Sequence, residues 1–179
     1  MDIIKVVQEN LGFGALSKID PNTEQVPKEK QEMGKNALAQ AGIPAILLGI
    51  FAKLEQNPNW ILPDTTALRS LNKIFGSDTA EVIGKIEDYA RIPDSHAAQE
   101  LEHIAAECTR VIRKTIGENS DPTVVHQFIN HHKPIVLQYL LPGLGLGILL
   151  KNNNLDDRTG KMTGPVSGFM HLVEKVFNT

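Results

Sequence analysis

The chain has 179 residues, 41% of them hydrophobic and 22% charged, with a net charge of −3 and a single cysteine, Cys108. That is apolar chain enough for one substantial core. It gives no electrostatic pull toward nucleic acid or an acidic membrane surface, and one cysteine allows no intrachain disulfide.

The first element expected is a helix over residues 2–11, where Ile3, Ile4, Val7 and Leu11 share one face and Gly12 and Gly14 end it. The same stretch has no basic region ahead of an apolar run and no small-residue cleavage site, so a cytoplasmic location is expected. Asp20-Pro21-Asn22 marks a turn, and residues 28–41 read as a polar helix ending at Gly42. An apolar helix then opens near Pro44. After a loop holding Trp60 between Pro58 and Pro63, Asp64 or Thr65 caps a helix through Leu68, Leu71, Ile74 and Phe75, stopped by Gly76.

Asp78-Thr79-Ala80-Glu81 is a D-x-x-E start related to the capping box, with Val82, Ile83, Ile86 and Tyr89 following on one side. Pro93-Asp94-Ser95 opens the longest helix, residues 96–116, closed by Gly117. Ser120-Asp121-Pro122 starts another with proline at its first position. Pro134 opens an apolar helix, and Gly164-Pro165 opens a last one through Phe169, Leu172, Val173 and Val176. No stretch alternates apolar and polar residues long enough to argue for a sheet. The expectation is an all-α fold, a single domain over 1–179 made of eight or nine helices.

One short pattern recurs 98 residues on: Ile43-Pro44-Ala45-Ile46-Leu47-Leu48-Gly49-Ile50-Phe51-Ala52-Lys53 aligns without a gap on Leu141-Pro142-Gly143-Leu144-Gly145-Leu146-Gly147-Ile148-Leu149-Leu150-Lys151. Read as two equivalent helices, the copies suggest pseudo-symmetric halves, 1–75 and 76–179, packed through Pro44, Gly49, Pro142, Gly143 and Gly147. The alternative is that two buried helices converged on similar strings. The uncharged run 134–150 is 17 residues long and broken by Pro142 and three glycines, short of the roughly 20 apolar residues a membrane span needs.

Two of these stretches, Ile74-Phe75-Gly76 through Glu81-Val82-Ile83 and the Leu141 to Ile148 segment, resemble the bacterial YidB-like family, also called domain of unknown function 937. The resemblance spans about residues 38–170. It implies an all-helical cytoplasmic bacterial protein and brings no catalytic residues. This chain departs from the family in having fewer alanines and a charged 96–116 helix.

One constellation could carry chemistry. His96, Glu100, His103 and Glu107 stand at i, i+4, i+7 and i+11 of the long helix, and Glu100 to His103 has the E-x-x-H spacing of helical metal sites. His126, His131, His132 and His171 could add ligands. Against this, Ala97, Leu101, Ile104, Cys108, Val111 and Ile112 make the opposite, apolar face, so the stripe is expected to face water and to hold no metal. On that face Cys108 is expected to be buried and inert. Gly143-x-Gly145-x-Gly147 follows no strand and lacks a GK[ST] ending, Ser167 lacks a nucleophile elbow, and 156–161 lacks a calcium-loop ladder.

Two functional readings follow. The first is a non-enzymatic, soluble helical module that binds another protein or a second copy of itself, with no cofactor. The alternative is a metal-binding helical protein using the His96, Glu100, His103, Glu107 stripe.

Overall fold

The computed structural model describes residues 2–19, 34–60, 70–92, 94–117, 121–141, 144 and 145. Among them are α1 (Ile3–Asn10), α2 (Lys35–Gln56), the six-residue α3 (Ser70–Phe75), a 3-10 turn (Gly76–Asp78), α4 (Thr79–Ala90), α5 (Asp94–Ile116) and α6 (Pro122–Leu137). The all-α class holds, but the count does not. Five helices of eight residues or more stand among the described residues, not eight or nine. Residues 28–33 of the expected 28–41 helix, and the expected last helix over 165–176, lie outside those residues.

Local chemistry explains most of the ends. Asp2 caps α1 by accepting from the backbone N–H of Ile4 at 3.0 Å and of Lys5 at 3.4 Å. Gly12 takes φ +71°, and Gly12 N–H and Phe13 N–H return to the carbonyls of Glu9 and Gln8, a Schellman end. Asp121 caps α6 through Thr123 N–H at 2.7 Å, with Pro122 at the first turn as expected. Gly117 closes α5 at φ +85°. The D-x-x-E start of α4 works differently from its sequence pattern. Asp78 makes no side-chain cap, and Thr79 Oγ1 donates instead to the carbonyls of Gly76 (2.8 Å) and Leu71 (3.3 Å), while Glu81 pairs with Lys85.

The centre of the molecule is α2. Every residue from Ala37 to Phe51 is buried, as is Leu54, so the helix has no solvent face in its middle. A helix apolar all round belongs in a core, and here α1, α3, α4, α5 and α6 all pack on it. The expected break at Gly42 is absent: residues 35–56 form one helix through both Gly42 and Pro44. Within the helix, the missing β-carbon of Gly42 makes room for α5, since a Cβ there would stand 2.6 Å from Leu101 Cδ2. Pro44 costs the helix one i to i−4 bond, that to the Gln40 carbonyl, yet its fixed φ is compatible with the helix.

Where it is described, the second copy of the repeat does not form the helix that the first copy forms. Pro134, expected to open it, lies inside α6, which ends at Leu137, where Gln138 and Tyr139 N–H close onto the carbonyls of Ile135 and Val136. Of the copy itself, Leu141, Leu144 and Gly145 are described, and none is α-helical. Gly145 has φ +56°, a left-handed value that no α-helix accommodates. At those three positions the copies share letters and not structure, so the two are not equivalent helices from end to end. Pro142, Gly143 and Gly147 lie outside the described residues. Gly49 does mark a close approach, but to Ile74 and Phe75 of α3.

Length and composition alone would let α2 cross a bilayer, the only such helix among the described residues. In the fold, 89% of that apolar window is buried by the surrounding helices. Of the uncharged run weighed from the sequence, 134–150, residues 134–137 belong to the end of α6, and 142, 143 and 146–150 lie outside the described residues.

Candidate functional site

The apolar face read from the α5 sequence is the face that packs: Ala97, Leu101, Ile104, Cys108, Val111 and Ile112 are all buried. The stripe opposite is less uniform than expected. His96 and His103 are exposed. Glu100 and Glu107 are partly covered and committed to partners. Glu100 meets Lys35 Nζ, at the start of α2, at 2.7 Å. Glu107, its side chain only 11% exposed, takes a two-pronged contact from Arg110 at 2.6 and 2.7 Å and accepts from Asn10 Nδ2 of α1 at 2.7 Å. Burial pushes the Glu107 carboxyl up, but hydrogen bonds from Arg110 and Asn10 and the Arg110 charge outweigh it and hold the group below its ordinary value. The two glutamates thus tie α5 to α2 and α1 and are not free to ligate a metal. Among the described residues no three His, Cys, Asp or Glu side chains come together in a way that could hold one.

Glu102, one position from the stripe, has a structural task that the sequence reading missed. Its carboxylate accepts from the backbone N–H of Ser70 at 2.8 Å and of Leu71 at 3.4 Å, satisfying the start of α3 from a neighbouring helix. Cys108 is fully buried, and burial together with the Glu107 charge raises its thiol well above the usual value, which leaves it protonated.

The most elaborate polar arrangement lies elsewhere, around the irregular segment 13–19. Three side-chain amides hold this strap. Gln8 Oε1 accepts from Leu16 N–H at 3.1 Å, and Asn36 Oδ1 from Gly14 N–H at 3.4 Å. Gln40 grips Ser17 at both backbone groups, accepting from its N–H at 2.8 Å and donating to its carbonyl at 2.9 Å. Gln40 also donates to the Tyr139 carbonyl at 3.3 Å, and Ile19 N–H donates to the Gln138 carbonyl at 2.8 Å. The strap is thereby tied to α1, to α2 and to the chain just past α6. Gln40 is 6% exposed, and a buried amide satisfied on both its oxygen and its nitrogen fixes its neighbours firmly.

Between the strap, the first turns of α2 and Tyr89 of α4 lies a cleft of about 270 Å³, lined by Gly14 to Ser17, Asn36, Gln40 and Tyr89. No charged side chain lines it. Burial raises the Tyr89 hydroxyl above its ordinary pKa, so it is a neutral donor at physiological pH. The lining offers neutral hydrogen-bond donors and acceptors, and no carboxylate or imidazole stands among them beside the Ser17 hydroxyl. The signal for this site was a polar residue, Gln40, in the apolar run that opens α2.

No family model matches this chain, and neither a curated protein nor a solved structure matches it.

Proposed function

We propose that this chain is a non-enzymatic, soluble helical module that acts by binding an uncharged, extended peptide segment of a partner protein in the cleft beside the strap. The observation that carries the reading is the lining of that cleft. Asn36 and Tyr89 supply neutral donors and acceptors beside an irregular backbone, with Gln40 behind them holding that backbone in place. Such groups match the polar groups of a peptide backbone and offer nothing to an ionised substrate. The Gln40 clamp on Ser17 holds the wall in shape before anything binds, which lowers the ordering cost of association. A cytoplasmic location is part of the same proposal and agrees with a lone, buried thiol.

The test is affinity capture from the native host with the wild-type chain and with a double variant, Asn36→Ala with Tyr89→Phe, alongside light scattering of the purified protein. The expected result is a stoichiometric partner retained by the wild type and lost by the variant, while the variant still unfolds cooperatively with only the small loss of stability that the long Asn36–Gly14 contact implies. A second copy as the occupant would appear as a dimer that the same substitutions dissociate. A monomer that retains no partner, or a partner indifferent to both substitutions, would contradict the reading.

A further inference from the structure

Among the described residues, two titratable side chains are buried, Cys108 and His132. His132, on α6, is 4% exposed. Its ring lies 4.5 Å from that of Phe128 one turn back and 4.7 Å from that of His131, and Phe128 in turn meets Phe51 of α2 edge-on at 5.9 Å. Its Nδ1 is buried with no hydrogen-bond partner. A neutral imidazole carries one proton and an imidazolium carries two, so the charged ring must place an N–H at Nδ1. Among the described residues no acceptor stands there to receive it. A donor buried without a partner, on a ring that has also become a cation, is costly enough to move the ring.

We propose that His132 is an acid-sensitive latch: neutral, it seats α6 against α1 and α2, and protonation unseats it. The charges that bear on the ring are few. His131 on α6 and the positive amino terminus of the chain disfavour a second proton, and Asp2 at the start of α1 favours it. Glu55 of α2, the acid nearest in sequence to the Phe51 contact, is engaged by Lys133 Nζ at 2.7 Å. Burial, reinforced by His131 and the terminal amine, holds the His132 pKa below the ordinary imidazole value. A folded pKa lower than the unfolded one means that the unfolded or detached state binds more protons, so attachment weakens as pH falls. It is complete above about pH 6.5 and is progressively lost from there down through the folded value. Release would take Phe128 away from Phe51 and uncover one flank of α2. It would also strain the Gln138 and Tyr139 carbonyl contacts that hold the strap.

Hydrogen exchange of the full chain, corrected for intrinsic rates, tests this between pH 7.5 and 5. The α6 opening constant should rise by up to about tenfold per pH unit below about 6.5 in the wild type, the limit for one proton. In His132→Leu it should be flat over the same range, and in His131→Gln the rise should persist. Should His132→Leu fail to fold, ring NMR of the wild type decides instead. His132 is expected to titrate below the ordinary imidazole value, and to protonate together with the loss of α6 protection. An acid rise that survives His132→Leu, or a ring that protonates with α6 protection unchanged, would overturn the latch.

Discussion

Gly42 and Gly49 stand seven residues apart on α2, and each gives up its β-carbon to a neighbour. At Gly42 the obstacle is Leu101 Cδ2, the tip of a flexible side chain. At Gly49 a Cβ would stand 2.6 Å from Ile74 Cγ2 and 2.7 Å from Phe75 Cε1, a branched side chain and a ring with less freedom to withdraw. Alanine also gains about 1 kcal/mol of helix propensity over glycine, which offsets part of either clash. Gly49→Ala should therefore lower unfolding stability by about 1–3 kcal/mol. Gly42→Ala should cost less than about 1 kcal/mol, because Leu101 can change rotamer. Urea titrations of the two variants compare them directly, and equal losses would show that side-chain flexibility does not decide the matter. Cys108 makes a second residue-scale prediction. Buried and protonated, it should resist a thiol reagent in the folded protein and react once denaturant is added; rapid native labelling would refute its place in the core.

Elements here are held as much by neighbours as by their own sequence. Replacing Glu102 with Ala removes the acceptor for Ser70 and Leu71 N–H and should cost about 0.5–2 kcal/mol, the range of a lost helix cap. Glu102→Gln keeps a carbonyl oxygen and should cost less. Calorimetric melting of both separates lost hydrogen bonding from lost charge. Gln40→Ala leaves the buried N–H and carbonyl of Ser17 without partners and should cost about 2 kcal/mol or more. Exchange at residues 13–19 should rise by more than exchange within α5. These contacts also mark what could be read in advance. The α5 face was legible because six apolar residues follow the helical period without interruption. The α2 boundary was not, because Gly42 and Pro44 are ordinary stop signals whose local cost is outweighed by burial on every side. The second repeat copy misled for the same reason in reverse: matching letters carried no information about φ at Gly145. Glu100 and Glu107 shared the stripe as foreseen, but Lys35, Asn10 and Arg110 had to be placed by the fold before the glutamates' roles were visible.

At the scale of the whole molecule, α2 is the axle and the other described helices are its cover. Its amides should exchange most slowly of all, close to the global unfolding limit, while those of α3, short and capped from outside, should exchange faster. The functional claim belongs to this scale too, because the cleft exists only where the strap, α2 and α4 meet. A photo-crosslinking amino acid at Ala15, exposed on the strap, tests it most directly when compared with the same probe at Asn130, exposed on α6. In native cells the Ala15 probe should give one dominant protein adduct that Asn36→Ala with Tyr89→Phe removes, and the Asn130 probe should not give that adduct. No adduct from Ala15, or the same adducts from both positions, would contradict binding through the strap cleft.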